Sequence, residues 1–263
     1  MVHLAFMFLR RFMKIIVDIE STNLLQNGLD YSNLPYALKP DYKIWCVVFR
    51  NLTTGKVSHL VKDQITKDNM QKELQGCTEL IGHNIVQFDL PVLMLYGVLD
   101  YRVGYPGETT SIFGQEVTIT DTLLWSKLLN ADRLGGHSLA AWGKRLGNYK
   151  EHFDDWANYS QEMLDYCIQD TFVNQSIYLR LLEEQGQHDW SKPYSVEIKL
   201  EDLTLRQELF GFDFDKELAE KNLQELAGFM QVISEKVNPL LPMKQMPRSD
   251  YSFYIPPKIR FKK

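Results

Sequence analysis

Strand-like and helix-like segments alternate along the first 185 residues of the chain, and only helical patterns follow them. Short apolar runs bounded by turn residues predict strands, and apolar residues three or four positions apart predict helices. The predicted strands cover residues 14–20, 44–50, 56–61 and 78–82, and the predicted helices cover residues 66–75, 90–96, 121–129, 139–146, 161–184, 196–210 and 216–237. Glycine and proline predict irregular structure in residues 98–120 and in the linker 185–194. This order predicts an α/β domain followed by a helical extension.

The composition excludes several classes of protein for the chain as a whole. Hydrophobic residues make up 44% and charged residues 24% of the 263 positions, which is ordinary globular usage and excludes disordered, collagenous and disulfide-scaffold proteins. The formal net charge of −5 argues against a protein that coats nucleic acid, since such a protein is expected to be basic.

Basic residues outnumber acidic ones in the last segment of the chain. Residues 240–263 form a proline-rich tail with six Lys or Arg side chains and one acidic side chain, so the rest of the chain is more acidic than the total indicates. This tail is the predicted place for contacts with backbone phosphates or with a protein partner.

The cysteines and the apolar runs indicate a location. Cys46, Cys77 and Cys167 lie far apart and form no CxxC motif, so we expect neither a disulfide framework nor a zinc site. We expect a reducing, cytoplasmic setting. No apolar run reaches 18 residues, which predicts no membrane association. In residues 1–12 the basic residues follow the apolar ones, the reverse of a secretory signal, so we interpret them as an N-terminal extension with Met13 as an alternative start.

The first predicted strand ends in two carboxylates. Asp18 and Glu20 are two residues apart, so on a strand they project from the same face and repel each other unless a cation lies between them. Taken alone, an Asp-x-Glu pair is more often a polar strand end that faces water.

Two further acidic segments follow. Asp89 comes after the strand 78–82 and begins a predicted helix, where it either binds a metal or caps the helix. Tyr166 and Asp170 are four residues apart on the helix 161–184 and therefore share a face. A half-buried tyrosine beside a surface aspartate is the common alternative for this pair.

Together, the order Asp-x-Glu, Asn-x3-Phe-Asp and Tyr-x3-Asp resembles the three motifs of the DEDD superfamily of 3′→5′ exonucleases. The four carboxylates Asp18, Glu20, Asp89 and Asp170 are all present. In the His-type branch a histidine stands five residues before the last aspartate, where this chain has Asp165, whereas Tyr166 matches the Tyr-type branch. The resemblance implies a DnaQ-like, RNase-H-like mixed sheet flanked by helices.

The resemblance extends to phage-type family A DNA polymerases over residues 13–238. The similar segments are GGHSLAAWGKRLG at 135–147, an Asp-Thr pair at 121–122, and GFDFD at 211–215, which resembles the start of a polymerase thumb. It implies an N-terminal extension at 1–12, an exonuclease domain at 13–187 and a partial thumb with a basic tail at 188–263. The chain ends at Lys263, where such a polymerase continues into palm and fingers, so we do not expect polymerase activity from this chain alone.

The resemblance also implies a mechanism with two divalent metal ions, Mg²⁺ or alternatively Mn²⁺. Asp18, Glu20 and Asp170 would hold the ion that activates water, and Asp18 with Asp89 would hold the ion beside the leaving 3′ oxygen. Tyr166 would orient the water. The substrate would be the 3′ end of DNA, preferably single-stranded, and the product a nucleoside 5′-monophosphate.

Several neighbouring residues have two alternative roles each. Leu24 would wedge against the last base or is a core leucine, and Asn84 and Phe88 would position the nucleotide or only support Asp89. His83 and His137 receive no catalytic role.

Three functional hypotheses remain open at the level of sequence. The first is an active proofreading exonuclease in DNA replication, either free-standing or a subunit that binds a separate polymerase palm–fingers chain. The second is a non-catalytic scaffold that docks such a chain, which loss of a motif carboxylate would favour. The third is an RNase-D-like exoribonuclease, which should lack the GFDFD segment.

Overall fold

A computed structural model describes residues 13–30, 37–104, 109–148, 153–211 and 213–241 of the chain. The predicted N-terminal extension 1–12, residues 242–263 of the basic tail and Phe212 of the GFDFD segment lie outside the described residues. Within the described part, no helix has the length and apolar character needed to cross a membrane.

Ten strands are assigned in the described part of the chain. In chain order, β1 to β10 are Met13–Ser21, Leu29–Asp30, Ala37–Leu38, Ile44–Asn51, Val57–Val61, Cys77–Gly82, Tyr101–Arg102, Ser111–Ile112, Gln115–Glu116 and Thr118–Asp121. Five of them form the central sheet in the order β10-β6-β1-β4-β5, whereas β2-β3 and β7-β8-β9 form two small sheets. The strands β1 and β4 are antiparallel, as are β4 and β5, whereas β6 is parallel to both β1 and β10. This mixed sheet with flanking helices is the RNase-H-like fold.

Eight α-helices accompany the strands in the described residues. In chain order, α1 to α8 are Leu25–Gly28, Lys67–Glu73, Asp89–Leu95, Thr122–Leu129, Leu139–Leu146, Gln161–Glu184, Ser191–Phe210 and Lys216–Val237. Both ends of the helix α5 are capped. The Ser138 side chain accepts a hydrogen bond from the Ala141 N–H, and Gly147 ends α5 at a φ of 73°.

The central sheet is covered by hydrophobic side chains on both faces because successive residues of a strand point to opposite sides. On β1, Ile15, Val17 and Ile19 belong to one core cluster, whereas Ile16 belongs to another that includes side chains of α4, α5 and α6. Asp18 and Glu20 follow Ile16 at spacings of two, so they project from the face of β1 that α6 covers.

The expectation that residues 98–120 are irregular is wrong. They contain β7, β8, β9 and most of β10, and β10 pairs in register with β6 at one edge of the central sheet. The sequence of β10 is only four residues long, with the single apolar residue Ile119, which is too short for a pattern of alternation to identify.

The helix α7 begins earlier than expected, at Ser191 within the predicted linker. Pro193 lies in its first turn, where the missing N–H has no intrahelical partner to lose.

The chain divides into two compact units, residues 1–211 and residues 212–263. The division falls after Gly211, so α7 belongs with the first unit, whereas the sequence places the domain boundary after Gln187. In the second unit, α8 is a regular helix of 22 residues, and its N-cap Asp215 accepts a hydrogen bond of 2.8 Å from the Leu218 N–H.

Candidate active site

One cleft collects the residues that the sequence singles out. It has a volume of about 380 Å³ and lies where β1 and the parallel strand β6 reach their carboxyl ends. The predicted site residues that line it are Asp18, Glu20, Leu24, Asn84, Phe88, Asp89, Tyr166 and Asp170. The structure therefore brings three segments that are distant in sequence to one surface.

The Asp18 carboxylate of β1 lies in an environment that disfavours negative charge. Burial raises the pKa of Asp18 well above its ordinary value, and the neighbouring carboxylates of Glu20, Asp170 and Asp89 raise it further, in that order. Among the described residues that line the cleft, none is a lysine or an arginine. Apart from His83, the described lining therefore has no side chain that could supply positive charge to the four acids.

Asp89 is the first residue of α3, and Phe88 holds the N-cap position. The alternative that Asp89 caps the helix is thus not realised. Asp89 is 2% exposed, and its Oδ1 accepts no hydrogen bond from any described residue. Burial, followed by the Asp121 carboxylate, raises the pKa of Asp89 to about 7, although backbone N–H groups act in the opposite direction.

Tyr166 and Asp170 lie one turn apart on α6. Asp170 is buried, with 3% of its surface exposed. The Tyr166 ring packs against Phe153 and Trp156 at centroid distances of 5.6 and 5.7 Å, and the two rings contact each other edge-on at 4.8 Å. The Trp45 side chain donates to the Trp156 carbonyl and fixes this segment to β4. These aromatic side chains restrict where the Tyr166 hydroxyl can point.

Sequence reasoning missed two residues of this site. Trp156 lines the cleft, and Cys167 on α6 places its Sγ 3.4 Å from Asp18 Oδ2 and 3.5 Å from the Asp18 carbonyl oxygen. The aromatic spacing Phe153, Trp156, Tyr159 before α6 was a usable signal for the former. Nothing in the sequence around Cys167 indicates a contact with a strand 149 residues earlier.

The loop before α3 depends on Asp121, the last residue of β10. Asp121 Oδ1 accepts from the Asn84 N–H at 3.0 Å, and Oδ2 accepts from the Val86 N–H at 3.3 Å. Asn84 has a φ of 65°, so the loop leaves β6 through a left-handed residue. The same carboxylate accepts from Leu123 and Leu124 and caps α4. The Asp121-Thr122 pair, which the sequence identified by resemblance alone, therefore orders the segment that carries Asp89.

Thr122 completes this support. Its hydroxyl lies 2.9 Å from His83 Nδ1 and donates to the Asn174 amide oxygen on α6 at 2.6 Å. His83 also lines the cleft, and its contact with Thr122 connects it to the start of α4.

Leu24 is available to a ligand. Its side chain is 63% exposed at the cleft, which excludes the alternative that it is a core leucine. Phe88, in contrast, is partly buried and packs against the main core cluster.

The donor set fits a divalent cation. Four carboxylates supply the hard oxygen ligands that Mg²⁺ and Mn²⁺ prefer, and Asp89 Oδ1 is a buried acceptor with no hydrogen-bond donor among the described residues. The raised pKa values of Asp18 and Asp89 agree with this, because a cation in the cleft would stabilise their ionised forms.

Comparisons with known proteins relate this chain, with its mixed RNase-H-like sheet and acidic cleft, to phage DNA polymerases and to a nuclease fold. No family model matches the chain. It is 24% identical over 290 residues to the DNA-directed DNA polymerase of Escherichia phage T7, covering 93% of this chain and 39% of the polymerase. It is 25% identical over 260 residues to that of Enterobacteria phage T3, covering 81% of this chain and 35% of the polymerase. The chain is thus homologous to these phage polymerases and spans between a third and two fifths of their length.

Solved structures show the same fold. Brucella melitensis NrnC with bound Mg²⁺ superimposes with a TM-score of 0.51 and 19% identity, covering 78% of this chain and 91% of NrnC. NrnC bound to pGG gives the same TM-score and identity, covering 79% and 90% of the two chains. The sequence relatives and the shared fold together support a nuclease function.

Proposed function

We propose that this chain is a metal-dependent 3′→5′ exonuclease of the DEDD Tyr-type that removes nucleoside 5′-monophosphates from DNA 3′ ends. The observation that carries the proposal is the cleft in which Asp18, Glu20, Asp89 and Asp170 converge with Tyr166 beside an exposed Leu24. A non-catalytic scaffold would have no need for four carboxylates in one cleft whose described lining holds no lysine or arginine, so this arrangement favours an enzyme.

The carboxylates would hold two Mg²⁺ or Mn²⁺ ions. Asp18, Glu20 and Asp170 are the proposed ligands of one ion, and Asp18 and Asp89 those of the other. When bound, such ions activate a water molecule and stabilise the leaving oxygen of a phosphodiester.

Tyr166 has the proposed role of orienting the attacking water through its hydroxyl group. The packing of its ring against Phe153 and Trp156 supports this role, because a ring held on two sides directs its hydroxyl without a large loss of side-chain entropy.

The terminal nucleotide would be held by other residues of the same cleft. Leu24 is proposed to wedge against the last base, and Asn84 with Phe88 to position its backbone. A cleft of this size accepts one or two unstacked nucleotides more readily than a duplex, which is why single-stranded 3′ ends are the proposed substrate.

The proposed biological role is proofreading in DNA replication, alongside the activity of a polymerase palm and fingers. The support is that both phage relatives are DNA-directed DNA polymerases. RNA is the second candidate substrate, because an RNase-D-like enzyme would share the catalytic motifs and the fold is shared with NrnC, which has been solved with pGG.

The test uses a single-stranded DNA and an RNA of the same sequence, each labelled at its 5′ end, with Mg²⁺ and with EDTA. We expect a ladder that shortens from the 3′ end of the DNA, nucleoside 5′-monophosphates as products, and no reaction in EDTA or with Asp18→Asn. Faster degradation of RNA would transfer the proposal to an exoribonuclease. Absence of any Mg²⁺-dependent shortening of either strand would leave the scaffold alternative in its place.

A further inference from the structure

The helix α8 of the second unit presents an apolar face to solvent. No residue of this helix is buried by any described residue. Six large apolar side chains, each between 41% and 67% exposed, form the face: Leu223, Leu226, Phe229, Met230, Ile233 and Val237. These six side chains are called the α8 face below. Apolar surface in water is unfavourable, and contiguous exposed patches of it on soluble proteins often mark interaction sites.

The spacing of these side chains is that of a coiled-coil seam. Starting at Leu223, apolar residues follow at steps of three, four, three and four residues up to Val237. The alternation continues by one step in each direction, to Ala219 and to Leu240, so it spans about three heptads. An a/d repeat of this length is typical of a helix that pairs with another helix along its whole length.

The charged residues of α8 argue against a charged partner. Residues 216–237 contain three lysines and four glutamates, which give the helix a net charge of −1. Helices that bind anionic membranes or nucleic acid carry an excess of basic residues instead. The chemistry of the α8 face therefore fits an apolar protein surface, and the heptad spacing fits another helix.

A second copy of the same helix supplies a surface of sufficient size. A fully exposed large apolar side chain contributes on the order of 100 Å² of apolar surface, so the partly exposed apolar side chains of α8 present roughly 500 Å² per copy. Two copies that pair through this surface remove about 1,000 Å² from water, which reaches the size of a specific protein interface. The low net charge of the helix keeps the repulsion between two copies small.

We propose that α8 pairs with the α8 of a second copy of this chain, face to face about a two-fold axis. The same apolar face is used on both copies, so the contact is isologous and closes after two chains. The inference goes beyond the proposed function, because α8 belongs to the second unit, whereas every described residue of the cleft lies in the first.

The first test measures the molar mass of the full chain in EDTA by sedimentation equilibrium and by light scattering. We expect a reversible monomer–dimer equilibrium, in which the mass rises with protein concentration toward twice the mass of one chain. Helix pairing also predicts that circular dichroism shows more helix at high concentration than at low concentration, because isolated helices are only marginally stable in water.

The second test places a charge on the α8 face. Leu226→Glu and Ile233→Glu should each raise the dissociation constant of the dimer at least tenfold, because pairing would bury the new carboxylate without a partner. Gln224→Glu, on the polar side of the same helix, and Leu134→Glu, at a leucine of the first unit that is 94% exposed, are the matched controls. Both controls should keep the wild-type dissociation constant.

Two results overturn the inference. The first is a wild-type chain that stays monomeric at every concentration, in which case the α8 face belongs to another segment or another protein. The second is a self-association that persists unchanged in Leu226→Glu and Ile233→Glu. The wild-type mass decides the matter even where a variant does not fold.

Discussion

At the scale of the residue, the buried carboxylates are the most informative groups of the molecule. Asp18 and Asp89 both have raised pKa values, chiefly because burial removes them from water. Structures tolerate such groups where a ligand compensates for the charge, so raised carboxylate pKa values in a cleft are typical of functional sites. The effect should be measurable as a dependence of stability on pH.

The protein without metal should lose stability as the pH rises. Between about pH 4 and pH 7, folded Asp89 holds a proton that an aspartate in the unfolded chain has already lost. The folded state binds more protons in this window, so its free energy of unfolding falls with rising pH. We expect the melting temperature in EDTA to fall by several degrees between pH 5 and pH 8, since about 1 kcal/mol corresponds to about 2–4 °C at this size.

Asp89→Asn should weaken the fall of the melting temperature with rising pH, because the amide does not titrate. Mg²⁺ should stabilise the wild-type protein more at pH 8 than at pH 5. Asp165→Asn, an exposed aspartate on α6, is the matched control and should keep the wild-type profile. An Asp89→Asn protein with an unchanged pH profile would contradict the assignment of this titration to Asp89.

Leu24 offers a second prediction at this scale. Leu24→Ala removes a side chain that is 63% exposed, so the melting temperature should change little. The value of kcat/KM on single-stranded DNA should fall severalfold, because the last base loses an apolar contact. Leu134→Ala, at a leucine that is 94% exposed and does not line the cleft, is the control and should leave kcat/KM unchanged. Equal effects of both substitutions would reject a specific role for Leu24.

At the scale of the element, the site depends on how β10 supports its neighbours. Asp121 ends β10, caps α4 and holds two N–H groups of the loop that leads to Asp89. The Tyr194 hydroxyl on α7 accepts a hydrogen bond from the Asp121 N–H and donates to its carbonyl, so a helix of the first unit fixes the same residue. A substitution at Asp121 should therefore disturb the position of Asp89, although Asp121 itself does not line the cleft.

Asp121→Asn should lower both stability and exonuclease activity. An amide replaces one acceptor oxygen by a donor, which leaves a backbone N–H such as that of Val86 unpaired at about 1–3 kcal/mol. Denaturant unfolding and kcat/KM measure the two effects. Asp215→Asn is the control, since Asp215 caps α8 and asparagine caps about equally well, so its stability should match the wild type. An Asp121→Asn enzyme with full activity would show that the loop does not need this support.

The sequence predicts helices and strands that are long enough to show a clear pattern of residues. It misses features that depend on contacts between residues far apart in the chain. Asp18 and Glu20 could be assigned to one face because strand periodicity is two, and Tyr166 and Asp170 because helix spacing is four. The strand β10 was missed because pairing with β6 stabilises it, and its own four residues carry little pattern. Cys167 was missed for a related reason, since its significance lies in a contact with β1 that no local pattern records.

At the scale of the whole molecule, the acidic net charge and a nucleic-acid substrate are compatible. Part of the charge of −5 comes from the four carboxylates of the cleft, which bound cations would offset. An enzyme that meets a strand end through metal ions needs less positive surface than a protein that coats a duplex. The first compact unit contains every residue of the described cleft, so the chemistry is assigned to that unit alone.

The most direct measurement of the central claim compares two aspartates of α6 on single-stranded DNA labelled at its 5′ end. Asp170→Asn removes a carboxylate from the cleft, whereas Asp165→Asn makes the same substitution at an exposed position five residues earlier. We predict that Asp170→Asn slows Mg²⁺-dependent shortening from the 3′ end by about 100-fold or more, with an unchanged melting profile in EDTA at pH 5, and that Asp165→Asn retains the wild-type rate. Equal rates for wild type and both variants would contradict the claim that this cleft is the active site of an exonuclease.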